Sequence, residues 1–380
     1  MVARNNTRHL KPLDGIRGIA VLMVICFHYG YFAAGWVGVQ IFFTLSGYLI
    51  TTILLSNRSS SPSSYFGIFY WHRALRILPV VYALMLVCGV VYVLSSQPSS
   101  FGSDWPWLVA FSGNFARMRQ SDLGSSFVHL WSLAVEQQFY LIWPFLIFIL
   151  PPRGFRAAVV VILIFTPAVR YVLFQHLIGI GYTSIYAGKA TYVLPFTQFD
   201  AFAAGAAIPL WSLDKMRNPG RWFNLTLAAT ALAGFSVLIS QYFWGKGAFI
   251  ASFGFAMYLI QDYGYVWGYS LLNLLSMLGI VCAIQRIGPT PILANGPLVW
   301  IGKISYGAYV YQLPLLRVAE AILNHLGIEI VGIIKPIVFV SWVALVFLIS
   351  DISFRWLEQP FLKLKHYWNK DTRLAQPMGS

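Results

Sequence analysis

Residues 337–350 read IVFVSWVALVFLIS with no charged side chain among them, and runs of this kind recur along the whole chain. Each belongs to a stretch of about 18–22 mostly apolar residues, enough to cross a hydrocarbon core of about 30 Å at about 1.5 Å per helical residue. In lipid a backbone must satisfy its own hydrogen bonds, which leaves helices or closed barrels. Barrel strands alternate apolar and polar residues over about ten positions, whereas VVVILIF at 159–165 is continuous. The chain therefore reads as an all-α membrane protein. Its composition agrees: 58% of residues are hydrophobic and 10% charged, against about 25% charged in ordinary soluble domains.

The runs predict a polytopic bundle of about ten transmembrane helices, near 13–32, 37–56, 76–95, 127–150, 157–175, 191–212, 223–242, 265–284, 298–318 and 332–352. The apolar segment 248–261 is too short to span and is read as re-entrant or interfacial. Ten spans with a cytosolic N-terminus place most of the 26 Lys and Arg residues on the cytosolic side, as the positive-inside rule requires, and put both termini there. The segment 96–126, with Asp104, Arg117, Arg119 and Asp122, becomes the main external loop, and 57–75, ending in FYWHRALR, a cytosolic one. Residues 1–375 are expected to form one membrane domain, with 376–380 a tail or engineered scar.

The net charge of +14 is explained by this topology, because the basic residues sit in short loops and form no aromatic-interleaved face for nucleic acid. Cys26, Cys88 and Cys282 all lie in apolar runs, so neither a disulfide nor a metal site is expected. The first run follows Arg4, Arg8 and Lys11 without a small-residue cleavage site and reads as a retained span, not a signal peptide.

Ionisable groups at membrane depth are costly and mark functional sites. In LDGIRGIAVLMVICFHYG, Arg17 and His28 are separated by close to three helical turns, so they share a face about 16 Å apart along the axis. Coenzyme A has a matching polarity, phosphates at one end and a thioester at the other: an arginine fork grips phosphate, and an imidazole can take a hydroxyl proton near neutral pH. A snorkelling anchor for Arg17 and an interhelical hydrogen bond for His28 are the plainer readings. Arg73 and Arg76, at i and i+3, pair two forks as a phosphate clamp or mark a cytosolic flank. Ser132, Glu136 and Tyr140, spaced by four, line one stripe of the fourth span. Glu136 is expected to face a polar cavity or a cation, with His28 as a natural partner. Asp200, beside the small residues of TQFDAFAAGA, either binds acceptor hydroxyls or locks helices together.

These motifs together resemble the acyltransferase-3 family of bacterial membrane O-acyltransferases, over essentially the full length. The likeness rests on LDGIRGIAVLMVICFHYG, GWVGVQIFFTLSGYLI with Ser46 and Gly47, FYWHRALRILP and HLWSLAVEQQFYLIWP. Weaker matches are TQFDAFAAGA, ISYGAYVYQLP and FRWLEQPF. The resemblance implies an acetyl-CoA donor reached from the cytosol and no metal. It also implies a carbohydrate or glycolipid acceptor outside the cytoplasmic (inner) membrane: lipopolysaccharide, exopolysaccharide or a glycosylated metabolite. The Arg17–His28 pair and the Arg73–Arg76 turn carry the family signatures. The chain departs from the family at Gln312, where relatives often have His. Many relatives append a periplasmic hydrolase-like domain, and here the membrane domain is expected to perform the whole transfer.

The expected mechanism has His28 as general base, with an acetyl-histidine as its variant, and Glu136 orienting the imidazole. Arg17, Arg73 and Arg76 hold the nucleotide phosphates, and Asp200, Ser132 and Tyr140 contact the acceptor. A transporter or flippase for a glycan or lipid-linked sugar is the competing class. Such folds commonly carry paired half-repeats with broken helices, which the sequence does not display. A non-catalytic sugar- or lipid-binding membrane subunit is a third.

Overall fold

The computed structural model describes residues 10–95, 101–118, 125–244 and 250–365. Among these the elements are helical: α1 (Lys11–His28), α2 (Val37–Ser56), α3 (Pro62–Ser95), α4 (Phe101–Val109), α5 (Gly113–Ala116), α6 (Trp131–Ile149), α7 (Pro152–Gly179), α8 (Ser184–Val193), α9 (Phe199–Leu210), α10 (Pro219–Phe243), α11 (Gly264–Ile284), α12 (Thr290–Leu293), α13 (Gly296–His325), α14 (Ile334–Ser353) and α15 (Gln359–Lys363). Seven stretches are long and apolar enough to cross a membrane: α2, α3, α6, α7, α10, α11 and α14 with its continuation to Lys363.

Three of the ten expected spans take other forms. The first becomes α1, which holds Lys11, Asp14 and Arg17 within its 18 residues and is too charged to qualify by composition. The sixth is broken into α8, a short 3₁₀ turn at Pro195–Thr197, and the short α9. The ninth lies inside the long α13, which also carries Lys303, Arg317 and Glu320. The described part of 248–261 forms no helix longer than the 3₁₀ turn Ile250–Ser252. The expected external loop contains α4 and α5, while Arg119 and Asp122 lie outside the described residues, as does the tail 376–380.

The expected cytosolic loop is a helix. Ser61 accepts a hydrogen bond from the Ser64 amide (3.3 Å) and Pro62 follows, so serine caps the first turn and proline fixes its φ. From there α3 runs unbroken for 34 residues, placing Arg73 and Arg76 within a continuous rod, with Arg73 about three turns from its start.

The chain divides into two compact units, Met1–Tyr48 with Ala201–Ser305, and Leu49–Asp200 with Tyr306–Ser380. In the first, α1 packs on α11 and α12, and α10 on α11. Backbones approach very closely here: a β-carbon at Gly47 would meet the Phe202 carbonyl oxygen at 2.0 Å, and one at Gly205 the Thr44 carbonyl oxygen at 1.9 Å. Phe43 stacks on Phe202 at 4.7 Å beside this contact. In the second unit α6 packs on α5, α7 and α8, while α15 and the π-helical turn Phe354–Glu358 pack on α3. Trp143 Nε1 donates to Thr51 Oγ1 (2.8 Å), and Tyr65 donates to the Pro144 carbonyl (3.2 Å).

Candidate functional site

In the first unit Arg17 and His28 lie on one face of α1, as their spacing predicts. Arg17 has a partner on its own helix: Nη1 donates to Asp14 Oδ1 at 2.8 Å, an i, i+3 ion pair beside the helix N-terminus. This pairing lowers the cost of carrying an arginine there. His28 is the last residue of α1, half-buried, with its ring 5.4 Å from that of Phe27. A histidine at a helix C-terminus favours its protonated form through the helix dipole.

The second unit gathers most of the other expected residues. Glu136 and Tyr140 are one turn apart on α6, and the Tyr140 hydroxyl donates to Glu136 Oε1 at 2.5 Å. The Arg73 guanidinium lies over the Tyr140 ring (5.5 Å) and the Phe69 ring (5.9 Å), adding cation–π attraction. Arg73, Arg76, Glu136 and Tyr140 act on one another electrostatically. The clamp expected at Arg73–Arg76 thus faces the stripe expected on the fourth span.

Ser132 is buried on that stripe and bonded within the protein, donating to the His129 carbonyl (3.3 Å) and sharing a short contact with the Tyr309 hydroxyl. Tyr309 also donates to the His129 carbonyl (2.8 Å). Pro314 explains the placement of the His129 ring. It cannot donate to the carbonyl four residues earlier, Val310, and His129 Nε2 sits 3.2 Å from that oxygen. His129 is the one buried histidine among the described residues, and the sequence reading, which singled out His28, passed it over. Gln312 is fully buried beside it, with its carbonyl accepting from Trp342 Nε1 (3.0 Å).

Asp200 is held as helix-locking chemistry would hold it. Its two carboxylate oxygens accept from Arg170 Nη1 (3.1 Å) and Nη2 (2.9 Å), both side chains are at most 1% exposed, and Arg170 Nη1 also donates to the Thr197 carbonyl (2.8 Å). This fork joins α7 to the first turn of α9. Removing either partner would leave an uncompensated buried charge.

Three residues of the cluster were missed. Tyr306, in ISYGAYVYQLP, donates to the Ile77 carbonyl on α3 (2.9 Å) and lies close enough to Glu358, Glu136 and Arg76 to feel their charges. Glu358, in FRWLEQPF, is 4% exposed, yet its place beyond the last expected span hid it. Its Oε1 is buried and has no hydrogen-bond partner among the described residues, and Arg76 lies nearby. Lys365 follows α15. Burial pushes its ammonium down to about 8, helped by the charges of Arg76 and Arg73. Both sequence motifs were visible; what they carried was not.

A family model described as an acyltransferase domain matches residues 11–355. Peptidoglycan O-acetyltransferase OatA of Listeria monocytogenes is 27% identical over 400 residues, covering 95% of this chain and 57% of its own length. YrhL of Bacillus subtilis, also named for peptidoglycan O-acetylation, is 29% identical over 380 residues, with 93% and 55% covered. A Staphylococcus aureus protein named as an O-acetyltransferase is 25% identical over 382 residues, with 94% and 58% covered. The chain spans a little over half the length of these curated relatives. No solved structure matches it.

Proposed function

The chain belongs to the acyltransferase-3 family, and on that premise we propose that it is a multi-pass O-acetyltransferase of the bacterial cytoplasmic membrane. It takes acetyl groups from cytosolic acetyl-CoA and delivers them to a hydroxyl of a carbohydrate outside. Relatives named for peptidoglycan make a peptidoglycan glycan the first acceptor to test. Lipopolysaccharide, exopolysaccharide and glycosylated metabolites share the same chemistry. α1, the broken α8–α9 segment and α13 supply the three further crossings, giving ten, with both termini cytosolic. The internal Arg17–Asp14 pair makes α1 a tolerable span.

The observation that carries this reading is the convergence of Arg73 and Arg76 with Glu136 and Tyr140. Two adjacent guanidinium forks suit phosphates, and a hydrogen-bonded carboxylate holds one of them in place. Arg17 is a further phosphate ligand.

His28 takes the proton of the acceptor hydroxyl as its oxygen attacks the thioester carbonyl. The tetrahedral adduct then collapses, the carbon–sulfur bond breaks, and His28 returns the proton to the departing thiolate. The products are an acetyl ester and free CoA. Glu136 is the second acid–base group, Ser132 and Tyr140 the acceptor contacts, and Asp200 serves the acceptor side indirectly by fixing α9.

The test is release of CoA thiol by the purified protein in nanodiscs supplied with acetyl-CoA, with and without peptidoglycan fragments. Acceptor-dependent thiol release with acetyl ester on the glycan supports an enzyme. Movement of labelled glycan without thiol release indicates a transporter instead.

A further inference from the structure

The helix α15 lies against α3, and the carbonyl of the residue before Lys365, Leu364, accepts from Trp71 Nε1 at 3.5 Å. This contact holds the end of the C-terminal helix against the stretch of α3 that carries the two arginines. The charged groups of α3 that reach Lys365 are Arg76 and Arg73. Three cations from two helices therefore converge, whereas the nearby carboxylates are two: Glu136, bonded by Tyr140, and Glu358, near Arg76. Like charges in a partly buried setting repel strongly, so this cluster is at its most stable with an anion among them. The Arg73 Nε is itself buried with no hydrogen-bond partner among the described residues.

We propose that Lys365 completes, with Arg73 and Arg76, a three-cation phosphate site. The inference deepens the donor-binding reading above and rests on it. Two forks grip one phosphate bidentately, and the compact ammonium meets a neighbouring phosphate as a point charge. A diphosphate fits this division of labour better than a carboxylate, which cannot engage all three groups. The phosphate could belong to a nucleotide such as coenzyme A or to a lipid headgroup.

The experiment measures CoA binding by calorimetry to the full chain in phosphatidylcholine nanodiscs, for the wild type, Lys365→Ala and Lys365→Arg, with thermal unfolding as a folding check. The same proteins are assayed for capture of phosphatidylglycerol. Lys365→Ala should weaken CoA binding roughly tenfold, the low end for a charge-assisted contact. Lys365→Arg should stay within about threefold of wild type, since it keeps the charge. Wild-type affinity in a folded Lys365→Ala protein overturns the role of Lys365 and leaves the donor reading standing. Phosphatidylglycerol capture that depends on Lys365, without CoA binding, keeps the three-cation site and overturns the nucleotide as its ligand. Wild-type protein that binds neither overturns both.

Discussion

The Tyr140 hydroxyl donates a 2.5 Å hydrogen bond to the Glu136 carboxylate one helical turn earlier, while the ring of the same tyrosine lies beneath the Arg73 guanidinium. One side chain thus ties a carboxylate to an arginine by two different forces. Tyr140→Phe removes the first and keeps the second. It should weaken CoA binding less than Tyr140→Ala, which also loses a cation–π contact of about 0.5–2 kcal/mol. Equal losses in the two variants, read by calorimetry, would show that the hydroxyl alone matters.

Arg73→Ala or Arg76→Ala should each lower acetyl-CoA affinity about ten- to a hundredfold, because charge-assisted hydrogen bonds contribute about 1.5–3 kcal/mol. Lysine at either position should recover only part, since a point charge cannot reproduce a fork. Donor affinity unchanged by the alanine variants would return the pair to a topology signal.

His28→Gln should lower acetyl transfer about 10²–10⁴-fold while leaving protein level and CoA binding nearly intact, because glutamine keeps much of the size but cannot shuttle a proton. Glu136→Gln should give a smaller loss and a shifted pH–rate profile. Substantial turnover by a folded His28→Gln protein would move the search to Glu136 and to His129, the histidine enclosed by Ser132, Tyr309 and the Val310 carbonyl.

Because the Lys365 ammonium is pushed down to about 8, it is mostly charged at pH 7 and mostly neutral at pH 9. CoA affinity should therefore fall as pH rises through about 8. The second ionisation of a phosphate monoester, near pH 6, is already complete and does not confuse this window. Lys365→Arg should flatten the dependence, since arginine stays protonated throughout. A wild-type profile as flat as that of the arginine variant would contradict the assignment.

Gly205→Ala should destabilise the protein by about 1–3 kcal/mol, the usual cost of overpacking, because its β-carbon would fall 1.9 Å from the Thr44 carbonyl oxygen. Thermal unfolding in detergent reads this directly, and an unchanged midpoint would mean that α2 and α9 separate at little cost.

Much of this arrangement was legible in the sequence, and its gaps have physical causes. Hydrophobic length identified the helical membrane class, and helical spacing aligned Ser132, Glu136 and Tyr140. It could not see α3 as one rod, since a Ser-rich segment resembles a loop until Ser61 and Pro62 are recognised as a cap and first turn. Nor could it choose a partner for Asp200, because Arg170 stands 30 residues away on another helix. Glu358 and Lys365 were hidden for the same reason: chain separation from Arg73 and Arg76 says nothing of the packing of α15 on α3.

The π-helical turn Phe354–Glu358 holds one residue more than an α-helical turn would. Deleting a single residue there would restore a regular helix and swing everything after it by about 100°, carrying Lys365 off the face that meets Arg73 and Arg76. The C-terminal segment should therefore accept many exchanges of one amino acid for another and very few changes in length, and natural variation just before α15 should appear as substitutions with almost no insertions or deletions.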